Sequence, residues 1–296
     1  MHILRIIKFI FSSIKSLFDF IQNYFKTVVF ITIVFMVSNQ GEQKSFEKAN
    51  LYRLELSGAI MDSKKFLEDI EEAKKANIKG VLLVVSSPGG AVAPSVEMSY
   101  AIKELNKIKP VVAYAGGTMA SGSYYASIWA KEIVANPGST IGSIGVIFQS
   151  MNAKELISKI GLKPQTIKAG KFKEAGTPFR DWNKYEKQEL NNLIKDTYDM
   201  FITDVALARD LNKTDHTKYA DAHVFTARGA KKVGLVDEVG TINIAINRLQ
   251  KLSKVKKPIW NKKDKFETMM EEFAKQGASS FFKIISANSG LQARSY

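Results

Sequence analysis

An α/β domain built on a parallel sheet is predicted for residues 51–250, and three observations predict it. From Leu51 onward, β-branched apolar runs alternate with amphipathic helical stretches. Two of the runs, "KGVLLVVSS" (79–87) and "KPVVAYAG" (109–116), are continuously apolar, as strands buried on both faces are. Glycine-rich turns follow three successive strands, and in a parallel sheet such turns collect at one edge, where ligand crevices form.

The elements follow in order. "LYRLEL" (51–56) alternates apolar and polar residues like a half-buried strand. "DSKKFLEDIEEAKKAN" (62–77) opens on an acid or serine cap and sets Phe66, Leu67, Ile70 and Ala73 on one helical face. After the buried run 79–87, "PSVEMSYAIKELNKI" (94–108) reads as an amphipathic helix with proline near its start. The run 109–116 leads through "GGTMASGSYY" into a helix that extends to Trp129. "EIVANP" (132–137) is a short strand, and "GSTIGSIGV" (138–146) is a glycine-punctuated loop. In residues 183–209 a long helix carries Leu190, Ile194, Tyr198, Phe201 and Val205 in step. Strand and helix in alternation imply right-handed crossovers.

The ends differ from this core. Residues 1–37 carry Arg5, Lys8, Lys15 and Lys26 against one acid, Asp19. Phe20–Val37 is about 27 Å long as a helix, close to the roughly 30 Å of bilayer hydrocarbon. No clear small-residue cleavage site follows Val37, so an uncleaved single-pass anchor, basic flank cytoplasmic and remainder outside, is favoured over a cleaved signal peptide or an interfacial amphipathic helix. Residues 38–50 are polar and linker-like. Residues 251–296 form a basic run followed by an amphipathic stretch (266–285), read as a solvated tail or as a contact with anionic lipid or a neighbouring subunit.

Composition excludes several chemistries. The chain has no cysteine, which removes disulfides, thiolate nucleophiles and cysteine-ligated zinc. With only three histidines, His2, His216 and His223, a histidine-rich metal site is not expected, and neither is a cofactor. The net charge of +14 suits an anionic surface. Much of that charge lies at the two ends, which favours a membrane surface over nucleic acid. "GGAVAPS" lacks the lysine of a phosphate loop, and "GGTMASG" lacks dinucleotide-loop spacing.

The turns "SSPGGAV" (86–92), "GGTMASGSYY" (116–125) and "GSIGV" (142–146) hold the candidate chemistry. Ser121 sits where a strand turns into a helix, with the amide of Gly122 behind it. That pairs a nucleophile with an oxyanion donor, although serine at this place also serves as an ordinary helix cap. A serine nucleophile needs a base. His216 and His223 lie in a polar stretch after Arg209, so lysine is the stronger option. An unperturbed lysine is neutral in only about 1 molecule in 2,500 at pH 7, so a lysine base requires burial or a neighbouring cation. "TIKAGKFKEAGTPF" (166–179) offers Lys168, Lys171 and Lys173, and spacing does not choose among them.

In order and approximate spacing, "SSPGGAV", "MASGSYYAS", "ANPGSTIGSIGV", "AGKFKEAGTPF" and "ARGAKKVGLVDEVG" resemble the signal peptide peptidase A (protease IV) family, in its short single-repeat form. The resemblance covers residues from about Leu51 to Gly240. It implies a crotonase-like, Clp-protease-like α/β fold and a membrane-anchored serine endopeptidase with a Ser–Lys dyad, which degrades remnant signal peptides and takes no cofactor or metal. Carried over by motif, Ser121 is the nucleophile and Lys173 the general base. Ser143 orients the lysine, and the amides of Gly89 and Gly122 form the oxyanion hole. The resemblance also implies a ring-shaped homo-oligomer whose neighbouring subunits share active sites, on the outer side of a bacterial inner membrane. This sequence departs from the family at Ser123, where glycine is usual, and at Met119. If that glycine needed a positive φ, Ser123 would be strained. Two other readings of the same fold are a crotonase-type enzyme acting on an acyl-thioester and a catalytically silent membrane scaffold.

Overall fold

A computed structural model describes residues 48–261 and part of the stretch 15–30. The chain divides into two units, Met1–Lys48 and Ala49–Tyr296. In the first, the described residues between 15 and 30 are helical apart from a turn at Tyr24. Among the described residues no helix is long and apolar enough to cross a membrane. Most of the expected anchor and linker, and the whole tail beyond Asn261, lie outside the described residues.

The second unit is a seven-stranded sheet with helices on both faces. Its main path runs β1 (Leu51–Ile60), β2 (Gly80–Gly90), β3 (Val111–Ala120), β4 (Glu132–Ala135) and β7 (Glu238–Val239), all parallel. Short β5 (Thr140–Gly142) pairs parallel with β3 and antiparallel with β6 (Val224–Thr226). The helices are α1 (Lys64–Ala73), α2 (Val92–Ile108), α3 (Gly122–Ser127), α4 (Lys154–Lys159), α5 (Lys184–Arg209), α6 (Ala227–Lys232) and α7 (Ile242–Ser253).

Burial on both faces explains the unbroken apolar runs. Val81, Leu83 and Val85 of β2, with Val111, Ala113 and Ala115 of β3, point into a large core shared with α1, α2, α3 and the C-terminal half of α5. The alternate residues Leu82, Val112 and Tyr114 pack on the other face against Ala245 and Leu249 of α7. This is the period-2 alternation of a strand, with both phases apolar because both faces are covered.

Helix boundaries follow local chemistry. At the start of α1 the acid supplies the cap: Asp62 Oδ1 accepts from Lys64 N at 3.1 Å, and Ser63 makes no side-chain cap bond. At its far end the buried ammonium of Lys109 donates to the carbonyls of Ala73, Lys75 and Ile78 at 2.9–3.0 Å, satisfying groups the helix leaves open. Burial pushes the Lys109 amine below its ordinary pKa, and Lys79 adds to that. Helix α5 opens with a capping box, in which Asn183 Oδ1 accepts from Glu186 N while Glu186 accepts from Asn183 N. Its C-terminal half is buried through Phe201, Ile202, Asp204, Val205 and Ala206, whereas Leu190 and Ile194 further up the stripe are half-exposed.

The site is positioned by a division of β3. Val112–Ala115 pairs with β4, and Thr118–Ala120 pairs with β5 instead. The sequence reading of 138–146 as loop missed β5, because three residues are too few to show a period. The split carries the end of β3, and Ser121 after it, away from β4 and alongside the Gly142–Ser143 turn.

Candidate active site

Ser121 stands between β3 and α3 with φ 52° and ψ −127°. That is a positive φ outside even the left-handed helical well, so the backbone is strained by roughly 1–3 kcal/mol and must be held by its surroundings. The restraints are visible. Ser121 N donates to Gly142 O at 2.8 Å, and Ser121 O accepts from Tyr125 N at 3.0 Å. Gly89, at φ 94°, lies against the same turn, and a Cβ there would meet Gly122 N at 2.6 Å and Ser121 Cβ at 2.9 Å. The turn therefore needs glycine at position 89 for both conformation and space. Gly122 is equally constrained, since a Cβ would fall 2.2 Å from Ser95 Oγ on α2.

Ser121 and Gly122 line a cleft of about 490 Å³, part of it open to solvent. Gly90 and Ser95 form one side, and Val92, Tyr125, Ile147, Met200 and Phe201 contribute apolar walls. Gly122 N is at the first helical position and has no intrahelical acceptor. The second expected donor is engaged: Gly89 N donates to Ser87 Oγ at 3.2 Å, and Gly90 rather than Gly89 lines the cleft.

Ser143 is also at positive φ, 48°, and its N–H donates to His223 O at 2.7 Å. The bond from Ser121 N to Gly142 O makes the Gly142–Ser143 turn a direct neighbour of Ser121. Neither His216 nor His223 lines the cleft; their rings lie against Tyr198 and Phe225.

The three lysines differ sharply. Lys168 Nζ pairs with Glu174 at 2.6 Å, and Lys171 Nζ lies 4.6 Å from the centre of the Tyr185 ring. Lys173 is exposed, and its amine has no partner among the described residues. None of the three lines the Ser121 cleft within one chain.

Ser123 is fully buried inside α3 and is not among the positive-φ residues. The strain considered for it in sequence falls on Ser121 instead. The last motif, "ARGAKKVGLVDEVG", is structural. Its Leu235 carbonyl accepts from Tyr124 Oη at 2.8 Å, and its Asp237 accepts from Ile133 N and from Arg209. Its Glu238–Val239 strand closes the β4 edge of the sheet, and its Leu235 carbonyl ties it to α3. Among the described residues no group of three or more His, Asp or Glu side chains is placed to hold a metal ion.

A parallel α/β sheet with a strained serine facing a cleft at its strand ends defines an enzyme-type architecture. A model of peptidase family S49 matches residues 103–256, a span that includes Ser121, Ser143 and Lys173, and the chain belongs to that family. This agrees with the resemblance to signal peptide peptidase A. A relative from Methanocaldococcus jannaschii, named a protease, is 46% identical over 192 residues, covering 65% of this chain and 61% of the relative. One from Synechocystis, also named a protease, is 34% identical over 200 residues, covering 67% of this chain and 72% of the relative. A relative from Enterococcus faecium, named signal peptide peptidase SppA, is 30% identical over 251 residues, covering 77% of this chain and 72% of the relative.

Proposed function

We propose that this chain is a membrane-anchored serine endopeptidase with a Ser–Lys dyad, acting on remnant signal peptides and similar apolar segments. The observation that carries the reading is the conformation of Ser121: a strained strand-to-helix turn that brings the serine to an apolar cleft beside a free helical amide. In the proposed reaction neutral Lys173 takes the Ser121 hydroxyl proton as Oγ attacks the scissile carbonyl. The oxyanion is held by Gly122 N–H, with Gly89 N–H joining once it turns from Ser87 Oγ. Lys173 returns the proton to the leaving amine, and water then hydrolyses the acyl-enzyme.

Lys173 reaches Ser121 from a neighbouring copy in a ring-shaped oligomer. Two features support this: the unengaged, exposed amine of Lys173, and the exposed side chains of Ile147, Met151, Leu156, Ile160 and Ile167 in the segment that precedes it. The N-terminal segment anchors the chain to a bacterial inner membrane, leaving the peptidase unit on the outer side.

Ser121→Ala and Lys173→Ala should each abolish cleavage of an apolar peptide, and mixed oligomers of the two inactive chains should recover part of it. Substantial activity in either single variant sinks the dyad. Verified mixed oligomers without recovery sink the shared site. Labelling by a serine-reactive acylating probe, lost in Ser121→Ala, separates this reading from an acyl-thioester enzyme that uses no nucleophile and from a silent scaffold.

A further inference from the structure

The cleft has one wall whose position depends on a buried polar contact. Helix α5 contributes Thr197, Met200 and Phe201 to it, and Asp204 lies one turn further along the same helix face. Asp204 is 8% exposed, and its carboxylate accepts a hydrogen bond from the hydroxyl of Tyr125, itself 3% exposed. The charge of the same carboxylate is the main reason the phenol pKa of Tyr100 on α2 is raised. Burial, reinforced by Asp204, raises that of Tyr125, so its phenol stays a protonated donor at neutral pH. The other charged group at this junction, Lys103, lies 3.8 Å from the centre of the Trp129 ring and 5.4 Å from that of Tyr100.

Tyr125 connects this carboxylate to the reacting serine. Its ring lines the cleft and meets Phe201 edge-on at 4.6 Å, while its N–H closes the turn beneath Ser121. A buried carboxylate joining α3 and α5 is costly to leave unmatched, so it holds the two helices in one arrangement. At the other end of α5 the buried Glu186 carboxylate is held by Arg180, and neither residue lines the cleft.

We infer that Asp204 is a positioning residue for substrate selection: through Tyr125 it fixes how far α5 stands from Ser121, and so sets the width of a pocket for one uncharged apolar side chain beside the scissile bond. No charged side chain of the same copy lines that cleft, so a charged substrate side chain entering it would lose hydration without gaining a partner from these walls. The inference rests on the peptidase reading for its scissile bond, but the width of the pocket is measurable without catalysis.

The test compares Asp204→Leu and Asp204→Asn in the full chain, each with and without Ser121→Ala. In the Ser121→Ala background, anisotropy of labelled peptides with leucine or alanine at the varied position reads binding alone. The unmodified pocket should favour leucine, and Asp204→Leu should reduce that preference by about tenfold, the loss of one charge-assisted hydrogen bond. Asp204→Asn, whose amide oxygen still accepts from Tyr125, should restore most of it. In the active background, Asp204→Leu should raise KM more than it lowers kcat. An unchanged leucine preference in a folded Asp204→Leu chain overturns the inference, as does an Asn variant no better than Leu. Failure of a small acylating probe to label the wild-type serine overturns the peptidase reading separately, because the binding preference does not depend on it.

Discussion

The Ser123 hydroxyl oxygen lies 2.6 Å from the carbonyl oxygen of Ser87, to which it donates, and joins the Ser121 turn to the "SSPGG" turn. The same oxygen accepts from Ala120 N at 2.9 Å. Ser123 is thereby committed to holding two of the three site turns together. It sits two positions from the proposed nucleophile, yet it is fully buried.

Replacing Ser123 by alanine should cost stability without changing which serine reacts. The change leaves a buried carbonyl and a buried N–H without their shared partner, a loss of about 2 kcal/mol. For a domain of this size that lowers Tm by roughly 4–8 °C. Calorimetry checks the shift, and mass mapping of an acylating probe should still find the label on Ser121. Label lost only on Ser123→Ala would reverse the assignment of the two serines.

Gly122→Ala should inactivate by crowding, and the crowding has a named partner. The new Cβ would fall 2.2 Å from Ser95 Oγ and 3.0 Å from Ser95 Cβ, and the next atom, Gly90 N, is 3.3 Å away. The turn must shift, and displacing a nucleophile by about 1 Å costs on the order of 100-fold in rate. Adding Ser95→Gly removes the two nearest atoms and should recover part of the probe-labelling rate. A double variant no faster than Gly122→Ala would mean that the damage lies elsewhere.

These contacts show where sequence reasoning reached and where it stopped. The strands of residues 79–87 and 109–116 were legible because burial on both faces writes an unbroken apolar run. Ser121, Ser143 and Lys173 were nameable only through several motifs taken together. The positive φ of Ser121 left no trace, because serine has no compositional signature for strain. Asp204 was hidden as well. It falls between Phe201 and Val205 in an apolar stripe, and its partner Tyr125 is distant in sequence. Pairings of that kind are set by tertiary packing, which no local period encodes.

Acid should loosen the lysine-bearing segment. Lys168 first, then Arg180, hold the Glu174 carboxyl down at about 2, and Arg180 does the same for Glu186, against an ordinary 4.5. Folded pKa values below the unfolded ones mean that the contribution is complete above about pH 4.5 and is lost as pH falls through about 2. Because Glu186 also caps α5, its protonation weakens both the helix start and its tie to Arg180. Pepsin cleavage within residues 160–180 should rise as pH falls through that window. Arg180→Gln should move the rise to higher pH, and identical profiles for the two proteins would refute the network.

Ser143 offers a way to separate strain from chemistry. Its φ of 48° is held by the bond from its N–H to His223 O, and its hydroxyl has no partner among the described residues. If the residue served only the turn, glycine would serve it better, since glycine adopts that φ without the roughly 1 kcal/mol cost of a side chain. Ser143→Gly should therefore match or exceed the wild-type Tm, whereas Ser143→Ala keeps the strain. If the hydroxyl orients Lys173, both variants should lose at least about tenfold in kcat despite their different stabilities, the low end of what a well-placed base contributes. The pH–rate profile should shift as well, because the hydroxyl's contact with the amine alters the lysine's pKa. Full activity with an unshifted profile in Ser143→Gly would reduce Ser143 to a turn residue and leave Lys173 to be oriented by some other group.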